Sequence, residues 1–148
     1  MHSLSDIQKL VSRRQKGKSL EAPFYSSPEI LDLDIKEIFS KHWIFVAVEP
    51  ELPEPGDCVT VEVDKTSVLL LRGDDMEIRA FHNVCRHRGA KLIDERATTI
   101  GNIVCRYHGW TYNEDGDLIL AEHMGAGFDK SCHGLKTIHV RSIAGLIF

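Results

Sequence analysis

A chain of 148 residues, 43% apolar and 27% charged, has the size and composition of one soluble globular domain and can bury a core without disulfide staples. Its longest apolar runs, residues 43–48 and 143–148, hold six residues each, against the roughly 20 that a membrane-spanning helix requires, and the start MHSLSDIQKLVSRRQKGKSL has no apolar block like that of a secretion signal. The net charge of −4 is uneven, because five Lys/Arg and one Asp in residues 1–20 leave the remainder at −8; without interleaved aromatics the basic start reads as a solvated, partly frayed arm and not as a nucleic-acid contact.

In chain order, SSPEILDLDIKEIFSKHW is the one convincing helix. Ser27 is placed to cap it, with Pro28 at the first helical position, where a missing N–H costs nothing. Leu31, Ile35, Ile38 and Phe39 recur at i, i+4, i+7 and i+8 and predict one apolar face. Short β runs follow: WIFVAVE, then the break PELPEPGD, whose three prolines and Gly56 forbid a helix, then CVTVEVD, SVLLLRG, EIRAFHN, NIVC, DLILA, IHVRS and GLIF. Strands this short, with turns such as NEDGD, predict an antiparallel all-β sandwich or barrel behind an amino-terminal helical extension. RSIAGLIF stops inside an apolar run with no polar tail, so Phe148 is expected to be a cut in a longer protein.

Four cysteines without a secretion signal point to a reducing compartment, with cytoplasm the expected location, and to metal or redox chemistry. Two of them sit in short knots, Cys85-Arg86-His87 and Cys105-Arg106-Tyr107-His108, with 17 residues between. Zinc usually takes its thiolates as C-x₂₋₄-C pairs gripping from one turn, and neither knot holds such a pair. One sulfur and one nitrogen on each of two loops suit a diamond-shaped [2Fe–2S] cluster, with Cys85 and Cys105 on one iron and His87 and His108 on the other. Gly89 and Gly109 follow the knots and let the backbone bend tightly.

The pattern C-R-H-R-G-A…C-R-Y-H-G-W resembles the Rieske signature. APFYSSPEI, KHWIFVAVEPELPEPGD, IRAFHNVCRHRG and CRYHGWTYNEDGDL follow the order seen in the amino-terminal part of the oxygenase (alpha) subunit of Rieske non-heme iron oxygenases, over roughly residues 20–148. Arg106 departs from the pattern, which commonly has Pro there. The resemblance implies a Rieske-type β-sandwich over residues 43–148, preceded by an arm and helix over residues 1–42. It implies electrons from an NAD(P)H-dependent flavin or iron–sulfur reductase, or from a ferredoxin. It also implies a mononuclear non-heme Fe(II) in a carboxyl-terminal domain beyond Phe148, which binds O₂ and a small-molecule substrate, commonly in a homotrimer; no nucleic acid and no membrane are expected. SLEAPFYSSPEI, VEPELPEPGD and AEHMGAGFDKSCHGLKTIHVRSIAGLIF look most like the branch that demethylates quaternary ammonium compounds, glycine betaine above all, with ring hydroxylation the other outcome.

Respiratory Rieske proteins carry a bridging Cys in each loop and a Ser that donates to a cluster sulfide; Ala90, Tyr107 and Trp110 occupy those positions here. Fewer hydrogen bonds to sulfur stabilise the reduced cluster less, so a potential on the order of −150 mV, falling as pH rises, is expected. Among the other candidates, Cys58 reads as a small packed hydrophobe and Cys132 as a loop thiol. His42, His82, His123 and His139 read as locally satisfied groups, and Trp110 as core or as an electron-transfer or subunit contact. The cluster segment holds Arg86, Arg88, Lys91, Arg96 and Arg106 against Asp94 and Glu95, either a solvated rim or a steering patch for an acidic redox partner. A free-standing Rieske ferredoxin and a zinc-stabilised interaction module are the alternative functions; the amino-terminal helix and the abrupt end speak against the ferredoxin.

Overall fold

Pro28 opens a helix because Ser27 holds extended backbone in front of it and its hydroxyl accepts the Ile30 N–H at 3.4 Å. The computed structural model describes residues 4–148 and divides at Ile44/Phe45 into two compact units. In the first, helix α1 (Leu4–Ser12) precedes α2 (Pro23–Ser26) and α3 (Pro28–Asp34), which widens into a π turn over Ile35–Phe39.

Two expectations are corrected here. The basic start is helical from Leu4 and not a frayed arm. Asp6 in its first turn and Lys9 in its last complement the helix dipole, and Leu10 is buried. In α3 the buried residue is Ile30, while Leu31, Ile38 and Phe39 remain about half exposed. The expected stripe assumed a constant 3.6 residues per turn; the π turn over Ile35–Phe39 adds a residue and puts Ile38 and Phe39 out of phase, while Leu31, ahead of it, is exposed because the buried face of α3 is centred on Ile30. Among the described residues no helix is long and apolar enough to cross a membrane.

The second unit is built from eleven short strands. β2 (Asp57–Val63), β3 (Thr66–Arg72) and β4 (Ile78–His82) form the centre of an antiparallel sheet in the order β5-β2-β3-β4-β9, with β5 (Ala97–Thr99) and β9 (Thr137–Ile138) on its edges. β6 (Ile103–Val104), β7 (Thr111–Tyr112) and β8 (Leu118–Leu120) make a small meander, and β1 (Ala47–Val48), β11 (Leu146–Ile147) and β10 (Ser142–Ile143) a third sheet. β5 and β7 are additions to the expected strands, and the expected strand IHVRS is split, with Ile138 ending β9, Ser142 opening β10 and residues 139–141 in neither; each of these strands is two or three residues and lacks a periodicity of its own.

Side chains alternate across the central sheet, and both faces are covered. Cys58, Leu69, Leu71 and Phe81 face a core shared with Ile103, Trp110, Tyr112 and Leu118 of the meander. Val59, Val68, Leu70 and Ala80 face a second core with Ala47, Leu52 and Ile147. Burial on both faces is why SVLLL reads as an unbroken apolar run. The two cores also fix where the cluster hairpins lie, since the meander can cover Leu69 and Leu71 only by folding back over the large sheet. The turn entering β8 depends on Gly116. Its φ is +84°, and a Cβ there would lie 2.6 Å from Cε1 of Phe81, so any side chain would be both strained and overpacked.

Candidate metal centre

Each knot sits at the tip of a hairpin, and the two tips share one hydrogen-bond plan. The Cys85 N–H donates to Ala90 O at 2.8 Å and the Gly89 N–H to Cys85 O at 3.0 Å; in the second loop the Cys105 N–H donates to Trp110 O at 2.8 Å and the Gly109 N–H to Cys105 O at 2.9 Å. Gly89 and Gly109 take φ of +74° and +70°, a conformation only glycine adopts without cost. The first tip is closed by the Val84–Lys91 bridge, the second by β6 pairing with β7.

The loops bring all four candidate residues together. Cys85 and Cys105 are buried, each 2% exposed. The rings of His87 and His108 lie 4.7 Å apart at 69° and are half-buried. Burial pushes the Cys105 thiol upward, against the Tyr107 amide, and the neighbouring Cys85 adds to the rise. Burial, then His108 and Arg88, lower the pKa of His87, which keeps that ring neutral and free to ligate.

Nδ1 of His108 is buried with no hydrogen-bond partner. Buried polar atoms nearly always have one, and a ring nitrogen prepared for a metal is the exception expected. Among the described residues no three His, Cys, Asp or Glu side chains converge as a single ion would require. A four-ligand zinc site needs such convergence, whereas a binuclear cluster asks for two side chains per iron, as the two thiols and two imidazoles here can supply.

Two residues outside the sequence reading shape this site. The Tyr112 hydroxyl lies 3.3 Å from Cys85 Sγ and accepts the Arg86 N–H at 3.0 Å; toward a metal-bound thiolate, which carries no proton, the hydroxyl would be the donor. Burial first, and Cys85 next, raise its pKa far above the usual phenol value. The hydroxyl missing at Trp110 is thus not the whole account of donors near the sulfurs, because Tyr112 brings another. The signal was present in GWTY, where Trp110 and Tyr112 alternate onto the inner face. Tyr112→Phe is expected to lower the reduction potential of the bound group. A bond stronger in the reduced state by about 1 kcal/mol corresponds to about 40 mV for a one-electron couple, read by redox titration; an unchanged or more positive potential would contradict this role.

Asn83 is the second. It is fully buried, accepts the Leu92 and Ile93 N–H groups at 3.2 and 2.9 Å, and donates to Ile93 O at 2.7 Å and Ser67 Oγ at 3.2 Å. It thereby ties the return arm of the first loop to β3.

On the rim, Arg106 pairs with Glu95 at 2.8 Å and lies 4.0 Å from Asp94; Lys91 pairs with Glu62 and Arg96 with Glu51. Among the described residues Arg86 and Arg88 are exposed and in no ion pair. Cys58 is packed in β2, its thiol pushed up to about 11 by burial. Cys132 is exposed in the 3₁₀ turn Lys130–His133, donating to Asp129 Oδ2 at 3.3 Å. His42 bonds to Ile38 O, His82 is half-buried in β4, His123 lies beside Glu122 and His139 is exposed. Trp110 is buried, and its indole stacks on His87 at 4.7 Å and 10°.

Two hairpin tips, each presenting a buried thiol and a half-buried imidazole from a β scaffold, are the arrangement that an iron–sulfur domain with mixed ligation requires. The chain belongs to the Rieske family: the model of the Rieske [2Fe-2S] domain matches residues 42–140. Its relatives include the glycine betaine monooxygenase oxygenase subunit of Chromohalobacter salexigens, 41% identical over 94% of this chain and 32% of that protein. The quaternary ammonium Rieske monooxygenase CntA, solved with L-carnitine, superposes with a TM-score of 0.79 at 36% identity over 84% of this chain and 36% of its own. Naphthalene 1,2-dioxygenase from Rhodococcus sp., bound to indole, gives 0.88 at 30% identity over 99% and 35%. The chain spans about a third of the length of the curated relatives it matches. The resemblance read from the two knots, and the antiparallel β fold with it, are borne out.

Proposed function

We propose that this chain is the electron-transfer domain of an oxygenase subunit and that Cys85, His87, Cys105 and His108 hold its [2Fe–2S] cluster, the thiolates on one iron and the imidazoles on the other. The observation that carries the reading is the pair of loops with one hydrogen-bond plan, together with the orphaned Nδ1 of His108. When bound, the cluster stores and releases one electron at a time. The chain's own residues set the conditions for that. Burial of Cys85 and Cys105 excludes water from the sulfur side, Tyr112 donates to Cys85, and the half-buried imidazoles bring the ligand set to the surface. Residues 43–148 form the cluster domain in this reading and residues 1–42 an appended arm and helices.

Relatives three times as long, all named as oxygenase subunits or components, favour this over a free-standing ferredoxin carrier. In the whole protein a mononuclear non-heme Fe(II) in a further domain would meet O₂ and substrate. An NAD(P)H-dependent reductase or a ferredoxin would supply electrons, in a homotrimer located in the cytoplasm. The names of several relatives favour a quaternary ammonium substrate such as glycine betaine, whose N-methyl oxidation gives a carbinol that collapses to formaldehyde and the demethylated amine. Ring hydroxylation is the second reading, favoured by the naphthalene dioxygenase likeness.

Iron and acid-labile sulfide analysis tests the cluster: two of each per chain are expected, and one tight zinc without sulfide would overturn it. For the substrate, full-length protein with reductase, NADH and O₂ should release formaldehyde from glycine betaine, carnitine or stachydrine. Dihydroxylation of an aromatic acid with silence on all three amines would favour the second reading.

A further inference from the structure

Between β8 and β9 the chain makes a connection over residues 121–136, irregular apart from the 3₁₀ turn Lys130–His133. Connections this long are uncommon in compact domains and are usually functional. This one is fastened at defined points. Lys130 Nζ donates to Ile119 O at 2.8 Å, the Leu135 N–H to Gly116 O at 2.7 Å, and the His133 ring, through Nδ1–H, to Asp129 O at 2.9 Å. The fastening sets Phe128 and His133 against each other, ring centroids 4.5 Å apart, and both against Trp110, at 5.5 and 5.7 Å. Trp110 in turn lies face to face with His87.

Core filling alone does not account for this indole. A buried Trp ordinarily finds an acceptor for its N–H, yet Nε1 of Trp110 is buried with none, so ring stacking and not hydrogen bonding sets its position. The result is a run of aromatic rings in contact from half-buried Phe128 and His133, through a fully buried indole, to the face of one imidazole of the ligand set. Electronic coupling decays exponentially with the gap between orbitals and decays more slowly through packed atoms than through empty space. A face-to-face stack therefore gives His87 a short, packed route to the surface of this connection.

We propose that Phe128, His133 and Trp110 are relay residues by which an electron from a reduced carrier reaches His87. This rests on the reading of the four knot residues as cluster ligands. The carrier is a protein with a reduced flavin or iron–sulfur centre; it loses one electron, the group ligated by His87 gains it, and no bond forms or breaks. Entry through the ring face leaves the half-exposed edges of His87 and His108 free for the acceptor, so donor and acceptor need not compete for one surface. The connection carries Glu122 and Asp129 against Lys130 and Lys136 and exposes Met124. Approach here is thus governed by apolar contact and is weakly dependent on salt, unlike approach to the unpaired guanidiniums of Arg86 and Arg88.

The test follows single-turnover reduction of the cluster-loaded full-length subunit by the NADH-linked reductase that supports its turnover, and separately by dithionite. Trp110→Leu should slow reduction by the reductase about tenfold and His133→Ala several-fold, with Trp110→Phe near the unaltered rate. The dithionite rate, the reduction potential and the electron paramagnetic resonance signal should not change in any of them. Unaltered reductase rates in both Trp110→Leu and His133→Ala would overturn the relay. So would equal slowing with both donors accompanied by a shifted potential, because Trp110 would then act only by positioning His87. If Trp110→Leu does not take up cluster, His133→Ala and Phe128→Ala decide, since both residues are only half-buried. Absence of cluster from the unaltered protein would overturn the ligand reading itself, an outcome separate from a cluster that forms and is reduced at unchanged rates.

Discussion

Replacing His87 or His108 with alanine should abolish the proposed [2Fe–2S] cluster or convert it to a different spectroscopic species, whereas Cys58→Ser and Cys132→Ser should retain two irons and two sulfides per chain. The contrast follows from where the structure puts the four cysteines. Cys85 and Cys105 are buried at hairpin tips beside half-buried imidazoles. Cys58 lies in the sheet opposite Leu71, and Cys132 sits exposed in a 3₁₀ turn. Each iron of a mixed-ligand cluster depends on two side chains, so deleting one imidazole leaves its iron with a single protein ligand. Iron and sulfide content with the electron paramagnetic resonance signal of the reduced protein reads the outcome. Loss of the cluster in either serine variant would show that the ligand assignment is wrong.

Asn83→Leu carries the largest expected effect on stability. The side chain is fully buried and serves the Leu92 and Ile93 N–H groups and the Ile93 carbonyl at once. Leucine is close in size, so the change strands these groups in the core without opening much space. Each unsatisfied buried group costs about 1–3 kcal/mol, out of a folding free energy of about 5–15 kcal/mol. A loss of at least about 3 kcal/mol is expected, equivalent to a fall in Tm of about 10 °C, measured on apo-protein so that cluster loss does not contribute. Ser67→Ala, which removes only the 3.2 Å contact to Asn83 Nδ2 and the Ser67–Glu62 bond, should cost far less. Equal melting of the unaltered and Asn83→Leu proteins would show that the amides find other partners and that Asn83 does not hold the loop.

By itself the sequence determined what depends on residue type and short spacing. One thiol and one imidazole within three or four residues, followed by a glycine able to take positive φ, specify a ligand loop wherever they fold; the two loops formed with the hydrogen-bond plan that such spacing allows. The Ser27-Pro28 start of α3 is equally local, since the cap and the helix it serves lie within three residues. The alternating and unbroken apolar runs of β2 to β4 were legible because a strand's period of two is written into consecutive residues. What the tertiary structure alone decided involves partners distant in sequence or too few residues to show a period. Helix α1 exists where composition showed only charge, α3 buries Ile30 and not Leu31, and the π turn puts Ile38 and Phe39 out of phase with the expected stripe. β5 is three residues long and forms by pairing with Asp57–Val59, some forty residues earlier. Tyr112 reaches Cys85 across 27 positions, and Trp110 stacks on His87 from the other hairpin. Those contacts cost loop-closure entropy that no local pattern reports. They form because burying the meander against Leu69, Leu71 and Phe81 brings the two hairpin tips together, and the fine environment of the ligands is settled by that packing.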